Sequence, residues 1–197
     1  MESKTIAETI SRLAITGLTN DSRVFVKVPD ARKHLYAGLQ YFVGKNEAKW
    51  TSNYDIVADW LTDNRGMGLS LLGNCGTGKS LIGGKVIPVL MYHYCKQLMC
   101  FQYQAQDINR KADEILRQKI IYIDDVGTEG VMNSFGNKRN VFPEIVDAAE
   151  RHGKLLILSS NLDKEHLLEK YGERTLDRLK AITKLVMFRG NSMRVAK

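Results

Sequence analysis

Residues 73–80 read GNCGTGKS and limit the folds open to this chain more than any other segment. The segment satisfies the pattern G-x-x-x-x-G-K-[ST] in full and lies between an apolar run and a helical pattern. Its glycines let backbone N–H groups turn toward phosphates, and the start of the following helix adds a favourable partial positive charge. The lysine supplies a counter-charge, and the last hydroxyl is placed to coordinate magnesium. We therefore predict an ATP phosphate-binding loop (P-loop) with contacts from Gly73, Asn74, Cys75, Gly76, Thr77, Gly78, Lys79, Ser80 and Leu81.

Two aspartates, Asp124 and Asp125, end the apolar run IIYIDD at 120–125. A carboxylate that follows four apolar strand residues is costly to bury unless it faces a site or a cation. We predict that Asp124 holds Mg²⁺ together with Ser80, and the alternative is a solvent-facing aspartate in a turn. Asp125 occupies the position of a general base that orients water. Many ATPases have glutamate there, and the shorter aspartate reaches less far, so we expect slow turnover.

A second polar strand end follows in the run LLILSSN, which closes with Ser159, Ser160 and Asn161. In ATPases that insert a strand between the P-loop strand and the acidic strand, a polar side chain at the end of that strand touches the γ-phosphate or its water. We predict this sensor role for Asn161. The alternative is a helix cap for the segment that starts near Asp163, which is a common use of asparagine.

From residue 67 onward, apolar runs alternate with helical patterns. This alternation is typical of a parallel sheet that is covered by helices on both faces, so we predict a three-layer α/β fold with five parallel strands. We divide the chain into an N-terminal helical extension, residues 1–60, and an ATPase domain, residues 61–197. The predicted elements are strands at 23–28, 67–72, 98–104, 119–124, 155–160 and 184–188, and helices at 80–97, 107–118, 137–151 and in short pieces over 163–180.

The chain is basic, with a formal charge of +7 at pH 7 and a pI near 9.3. Clustered lysines and arginines gain affinity for polyanions by releasing counterions, but charge alone does not separate nucleic acid from small anions. Cys75, Cys95 and Cys100 form no CxxC pair, which argues against a disulfide framework or a structural metal and fits a reducing cytosol. No apolar run is long enough to span a bilayer, so we expect a cytoplasmic protein without a membrane partner.

The order of the remaining motifs resembles a known family. GNCGTGKS is followed by IIYIDDVG, by SSNL, by YGERTLDRL at 171–179 and by FRGNSMR at 188–194. This series resembles the AAA+ ATPases of the DnaC type, which load replicative helicases and to which IstB-type transposition ATPases are related. The resemblance covers the chain from about residue 60 to residue 194.

The resemblance implies roles for three arginines. Arg178 matches the arginine that reaches the nucleotide of a neighbouring subunit and stabilises transition-state charge, and Arg174 matches a second arginine that contacts this nucleotide. Arg194 matches the last arginine of the family, a nucleotide sensor. The alternative is that Arg174 and Arg178 are exposed cations paired with Glu173 and Asp177 on the same helix.

The resemblance also implies cofactors and partners. We expect ATP and Mg²⁺, slow hydrolysis that depends on oligomer or DNA, a nucleotide-dependent homo-oligomer, and no C-terminal helical lid. Single-stranded DNA and a replicative helicase are the expected partners. Phe135, Lys138 and Arg139 are candidate DNA contacts, since base stacking and cations together bind single strands.

An amphipathic N-terminal segment with Ile6, Ile10 and Leu13 is a candidate site for helicase docking, although such a segment more often covers its own core.

Three alternatives for the function remain open. One is an IstB-type transposition ATPase. Another is a P-loop kinase for a small molecule, in which YGERTLDRL would serve as a lid. The third is a nucleotide-binding scaffold without useful hydrolysis, because Asp125 replaces the usual glutamate.

Overall fold

A computed structural model describes residues 23–130, 132–134 and 137–189. Besides the α-helices and strands, these residues contain a π-helical turn, Ile82–Val86, and a 3-10 turn, Ala105–Asp107. The helices and strands are α1 (Ala31–Val43), α2 (Ser52–Thr62), β1 (Gly68–Gly73), α3 (Lys79–Leu81), α4 (Ile87–Tyr94), β2 (Phe101–Gln104), α5 (Ala112–Arg117), β3 (Ile120–Asp124), β4 (Met132–Ser134), β5 (Asn137–Arg139), α6 (Val141–Arg151), β6 (Leu155–Ser160), α7 (Lys164–Tyr171), α8 (Glu173–Ile182) and β7 (Thr183–Phe188).

Five strands form one parallel sheet in the order β2-β3-β6-β1-β7. Strand β6 lies between β1, which leads into the P-loop, and β3, which ends in the aspartate pair. Leu72 of β1 is level with Ser160, and Ile123 of β3 is level with Leu158. Because parallel strands all end at one edge of the sheet, the P-loop and the two polar strand ends become neighbours. The predicted five-stranded parallel sheet is confirmed.

The three central strands, β3, β6 and β1, send alternate side chains into two apolar layers. On one face, Leu71 and Ile157 pack with α1, α2 and α4. On the other face, Leu156 and Leu158 pack with α5, α6, α7 and α8. Strands that are buried on both faces must be apolar throughout, which explains the continuous runs in the sequence. The three predicted layers are present, and α1 and α2 share a core with the sheet.

Residues 23–28 do not form the predicted strand, although their burial alternates. Val26 and Val28 are buried. The Val28 N–H donates to the carbonyl oxygen of Leu61 at 2.8 Å, and the Val26 N–H donates to Oδ1 of Asn64 at 2.9 Å. Alternation shows that one side of a segment is covered. Here the cover is the end of α2 and the turn after it, and no neighbouring strand is involved.

The helix predicted at 137–151 starts later than expected. It begins at Val141, because the side chain of Asn140 accepts from the second N–H of the helix at 3.3 Å and caps it. The residues before it form β5, which pairs with β4 as an antiparallel hairpin. Lys138 and Arg139 therefore lie in this hairpin, just before α6, and not inside the helix as the predicted bounds implied.

The helix predicted at 107–118 is also shorter, since only α5 is α-helical there. Ile6, Ile10 and Leu13 of the predicted docking segment, Phe135 and Arg194 lie outside the described residues. The described residues end directly after β7. The expected lack of a C-terminal helical lid refers to residues after that point and stays a prediction. In the described part of the chain, none of the helices is both long enough and apolar enough to cross a membrane.

Candidate nucleotide-binding site

The P-loop begins at Gly73, the last residue of β1, where the backbone of β7 leaves no space for a side chain. A Cβ at Gly73 would lie 2.1 Å from the carbonyl oxygen of Phe188 on β7. Gly78, directly before α3, has a φ of 94°, in the left-handed region that favours glycine. The hydroxyl of Thr77 donates to the carbonyl oxygen of Asn74 at 2.8 Å and closes the loop. Backbone geometry itself therefore requires these two glycines of the motif.

Lys79 begins α3 and is buried, with 4% of its surface exposed. Its ammonium donates to the carbonyl oxygens of Gly73 and Asn74, both at 2.7 Å, and to Oδ1 of Asn161 at 2.8 Å. A lysine ammonium has three N–H donors, and these three oxygens lie around it. The structure thus brings Lys79 to the end of β6, next to the residue that we predicted as the sensor.

Asn161 also contacts the acidic strand. Its Nδ2 donates to Oδ1 of Asp125 at 3.1 Å, so one carboxamide joins the P-loop lysine to the second aspartate. The helix cap that was the alternative explanation of Asn161 is made by Asp163, whose side chain accepts from the His166 N–H at 2.9 Å.

Asp124 ends β3 with one carboxylate oxygen surrounded by hydroxyl groups. Oδ1 accepts from Ser80 at 2.8 Å, from Tyr122 at 2.6 Å and from Ser159 at 2.5 Å. A P-loop hydroxyl and a strand-end carboxylate in direct contact are the two protein groups that hold Mg²⁺ in P-loop NTPases. The residues present therefore fit this ion, which prefers oxygen ligands and retains several waters.

Tyr122 lies on β3, and its ring packs against the π-helical turn that follows the P-loop. A Cβ at Gly83 or Gly84 would lie 2.5 Å or 2.9 Å from the nearest atom of its ring, so this part of Ile82–Val86 accommodates the ring only with glycine. Burial and, next, the negative charge of Asp124 raise the pKa of Tyr122 well above its ordinary value. The phenol therefore stays protonated and donates to the carboxylate.

Asp125 has a φ of 56°, which is uncommon for a residue with a side chain. Several hydrogen bonds hold it there. Its N–H donates to Oγ of Ser159 at 3.0 Å, and its carbonyl oxygen accepts from the N–H and the hydroxyl of Thr128 at 3.1 Å and 2.9 Å. Ser159 is fully buried and contacts both Asp124 and Asp125, so β6 sets the positions of both aspartates.

A buried glutamate holds the loop after Asp125 against α7. Glu129 accepts from the Gly127 N–H at 2.9 Å and from the Tyr171 hydroxyl. Lys170 lies 3.5 Å from the same carboxylate and donates to the carbonyl oxygen of Gly127 at 2.5 Å. Burial and the contact with Glu129 raise the pKa of Tyr171. A buried carboxylate needs such partners, and together they tie the loop to the second apolar layer.

A cavity of about 280 Å³ opens beside these groups. Its lining includes Asp125, Asn161 and Val43, the last residue of α1. The rest of its lining comes from the predicted P-loop, namely Cys75, Gly76, Gly78, Lys79, Ser80 and Leu81. The predicted P-loop residues and the two polar strand ends therefore meet around one space.

Arg178 does not line this cavity in its own chain. Its Nε lies 3.0 Å from Oε2 of Glu150, and its Nη1 is paired with Asp147, both on α6. The side chain is 22% exposed. These partners differ from Glu173 and Asp177, the pairing considered in the sequence analysis. Within the subunit, the ion pairs of Arg178 link α8 to α6.

Arg174 lies one helical turn earlier on α8 and is exposed. It lines an open cleft of about 490 Å³ between α7 and α8, together with Lys164 and Lys180. The cleft is separate from the cavity beside the P-loop. Of the two arginines, Arg174 is the one that a second molecule can reach without breaking the ion pairs of Arg178.

Three residues of the site were not selected from the sequence. Val43 lies in α1, and nothing local connects it with the P-loop. Tyr122 has the pattern of a core residue, and only its i, i+2 spacing to Asp124, which places both on one face of β3, was a signal. Ser159 belongs to the polar run that was noticed, but Asn161 was chosen from that run because it lies at the end.

The solved structures that share this fold include the following three. A putative primosome component from Streptococcus pyogenes serotype M3 has a TM-score of 0.56 at 16% identity and covers 86% of this chain and 93% of its own. The DnaC helicase loader has a TM-score of 0.52 at 14% identity, with 96% and 94% covered. AMPPCP-bound DnaA from Aquifex aeolicus has a TM-score of 0.51 at 15% identity, with 74% and 50% covered. The sequence matches no family model and no curated protein.

The strand order and the meeting of the P-loop with two polar strand ends define a P-loop NTPase fold with an AAA+ core. Within this class, the chain is similar in fold to the DnaC helicase loader and to the putative primosome component. The resemblance drawn from the motifs is thereby confirmed at the level of the fold.

Proposed function

We propose that this chain is a Mg²⁺-dependent ATPase that assists DNA replication as a helicase loader and acts in the cytoplasm. One observation carries the proposal: Asn161 joins Lys79 to Asp125 next to the contact between Ser80 and Asp124. Lys79, Ser80 and the proposed water-orienting pair, Asp125 and Asn161, therefore line one cavity. The carboxylate of Asp124 contacts the Ser80 hydroxyl beside it. This is the set of groups that phosphoryl transfer to water needs.

Each residue has a task in this proposal. The P-loop holds the β- and γ-phosphates, and Lys79 balances their charge. Ser80 and Asp124 would hold the magnesium ion, which neutralises charge that develops on the phosphates. Tyr122 and Ser159 keep Asp124 in position through their hydroxyl groups.

Asn161 and Asp125 are the proposed pair for the attacking water. Asp125 accepts a proton from the water, and Asn161 holds the aspartate and senses the γ-phosphate. The backbone hydrogen bonds of Asp125 to Ser159 and Thr128 restrict where its carboxylate can reach. Because an aspartate reaches less far than a glutamate, this proposal includes slow hydrolysis in the isolated subunit.

Assembly would complete the site. Arg178 of one subunit would exchange the carboxylates of Asp147 and Glu150 for the γ-phosphate bound by its neighbour, and the exposed Arg174 would contact the same nucleotide. An arginine supplied in this way stabilises transition-state charge and accelerates hydrolysis about 10³- to 10⁵-fold. ATP would thereby favour a homo-oligomer, and hydrolysis would release it.

Single-stranded DNA and a replicative helicase are the proposed partners. The positive charge of the chain and its similarity in fold to a helicase loader and to a putative primosome component support this part of the proposal. The hairpin β4–β5, which carries Lys138 and Arg139, is one proposed contact for the sugar–phosphate backbone.

The decisive experiment measures ATP hydrolysis per molecule across a range of protein concentrations, with and without single-stranded DNA. We expect the specific activity to rise with concentration and to respond to DNA. Arg178→Ala should abolish it while ATP binding persists. A mixture of Arg178→Ala and Lys79→Ala should recover part of it, because an intact P-loop and an intact arginine then meet at some interfaces. Activity that is independent of concentration, DNA and Arg178 would support a monomeric P-loop kinase or hydrolase instead.

A further inference from the structure

A second cavity, larger than the one beside the P-loop, opens at the start of α1. Its volume is about 740 Å³, and it is lined by Asp30, Arg32, Lys33, Tyr36 and Trp50. None of these residues belongs to the proposed ATPase site. We call this feature the Trp50 groove.

The aromatic wall of the Trp50 groove is fixed in place. The indole N–H of Trp50 donates to Oδ1 of Asp55 at 3.1 Å, and Arg32 donates to the same oxygen at 2.6 Å. Tyr36 packs edge-on against Trp50 with ring centroids 5.9 Å apart, and its hydroxyl donates to the carbonyl oxygen of Ala48 at 3.2 Å. The rings therefore need little reordering to bind a ligand.

Arg32 extends this wall with a planar cation. Its guanidinium carbon lies 4.8 Å from the centre of the Trp50 ring, so the two planes form a cation–π pair. The side chain of Arg32 remains 69% exposed. Its outer face can therefore receive one more flat group, and nucleobases stack on both arginine and aromatic side chains.

The chain segment that forms most of the groove is basic, although Asp30 also lines the groove. The segment from residue 23 to residue 50 contains six lysines and arginines but only two acidic residues. Lys27, Lys33 and Lys49 are exposed. A flat stacking surface within a field of cations fits a chain of bases joined by phosphates better than it fits an acidic peptide, which offers the charge without the flat rings.

We propose that the Trp50 groove binds single-stranded nucleic acid, with a base stacked on Arg32 and Trp50 and an adjacent phosphate on Lys33. The inference rests on the proposed function, since it names the surface that contacts the single strand. Both sites lie on α1, because Val43 at its other end lines the ATP cavity. A helix of 13 residues is about 20 Å long, so one rigid element extends between them.

The test uses a short oligothymidine, with total binding followed by fluorescence anisotropy of a dye on the oligonucleotide. The chain has two tryptophans, and Trp60 is buried. We expect the oligonucleotide to quench tryptophan fluorescence in the wild type but not in Trp50→Phe. Arg32→Lys, which keeps the charge and removes the planar group, should weaken binding about tenfold.

Charge is tested separately. Lys33→Ala should weaken binding several-fold and lower the slope of log affinity against log salt by about 0.7, the value for one phosphate on a single strand. Arg151→Ala removes an exposed cation of α6, on the opposite face of the sheet, and should change neither quantity. Thermal unfolding of each variant controls for folding.

The outcomes separate the two proposals. Binding of the oligonucleotide without quenching, and with equal affinities for Arg32→Lys, Lys33→Ala and wild type, would overturn the groove while leaving DNA binding intact. Absence of any binding, with ATP hydrolysis preserved, would overturn both the groove and the DNA part of the proposed function. If a polyglutamate peptide quenched Trp50 and the oligonucleotide did not, the groove would be a site for an acidic peptide and our inference would be wrong.

Discussion

The carboxamide of Asn161 lies between Lys79 and Asp125, accepting from the lysine at 2.8 Å and donating to the aspartate at 3.1 Å. A phosphate that enters the P-loop must compete with Asn161 for the lysine ammonium. Loss of that contact would change the position of the carboxamide and hence of Asp125. The same side chain can therefore report phosphate binding to the residue proposed to orient water.

Replacing Asn161 by alanine should separate binding from chemistry. We expect the rate of ATP hydrolysis to fall about 10²-fold, the usual effect of removing one positioned polar group, while nucleotide affinity changes little. Single-turnover hydrolysis and equilibrium binding of a fluorescent ATP analogue measure the two quantities. Asp163→Ala, which removes the cap of α7 two residues later, is the control and should affect stability alone. An equal loss of hydrolysis in both variants would argue against a sensor.

Tyr122→Phe removes only the hydroxyl that donates to Asp124. The ring remains, so packing against Gly83 and Gly84 should persist. We expect the Mg²⁺ concentration for half-maximal hydrolysis to rise about tenfold, as for other residues that orient a metal ligand. Tyr103→Phe is a matched control, because this buried tyrosine on β2 donates to Glu114 instead. Unchanged Mg²⁺ dependence in Tyr122→Phe would remove the proposed role of its hydroxyl.

Gly83→Ala should destabilise the fold through a collision with the Tyr122 ring, 2.5 Å from the new Cβ. We expect the free energy of unfolding to fall by about 1–3 kcal/mol, the cost of overpacking, although alanine itself favours helix over glycine by about 1 kcal/mol. Urea unfolding measures the change. Gly130→Ala is the control, since nothing lies within 4 Å of a Cβ there. If the two variants were equally stable, the close fit around Tyr122 would be disproved.

The ion pairs of Arg178 allow its structural role to be distinguished from its proposed catalytic role. Arg178→Ala and the double variant Asp147→Asn, Glu150→Gln both break the link between α8 and α6, and each should cost about 0.5–1 kcal/mol of stability because the groups are partly exposed. Only Arg178→Ala should abolish the concentration-dependent hydrolysis. Chemical unfolding and hydrolysis assays on both proteins check this. Equal loss of activity in the double variant would mean that Arg178 acts only by holding α8.

Alkaline pH should destabilise the protein through its buried tyrosines. Burial is the largest cause of the raised pKa of Tyr54, Tyr103, Tyr122 and Tyr171, and for Tyr103 the value is about 12. In the unfolded chain these phenols ionise near pH 10, whereas the folded chain keeps their protons. Their contribution to stability is therefore fully present below about pH 10 and is lost as pH rises toward the folded pKa values.

Urea unfolding between pH 9 and pH 12, together with tyrosinate absorbance, measures this loss. Tyr171→Phe should lose less stability over this range than the wild type, because it has one fewer phenol to ionise on unfolding. Tyr41→Phe changes a ring that is 84% exposed and serves as the control. Identical pH dependence in the two variants would show that burial of Tyr171 has no part in it.

The P-loop, the acidic strand and the five parallel strands could all be predicted because their signals are local. Glycine spacing dictates a backbone path, and a run such as LLILSS must be buried on both faces wherever it lies. The placement of Asn161 beside the P-loop was also within reach, since the ends of parallel strands meet at one edge. The alternating pattern of residues 23–28 led to the wrong prediction of a strand for a related reason. Such alternation shows that one side of the segment is buried, but it does not show which element buries it.

Contacts between distant residues were decided only by the tertiary structure. The sequence offered Glu173 and Asp177 on the same helix as alternative partners for the arginines. Packing of α8 on α6 gave Arg178 two carboxylates from elsewhere in the chain instead. Val43 lines the cavity beside the P-loop because α1 shares a core with the sheet. A sequence pattern records which side of an element is buried, whereas the partner on that side depends on how all the layers fill space together.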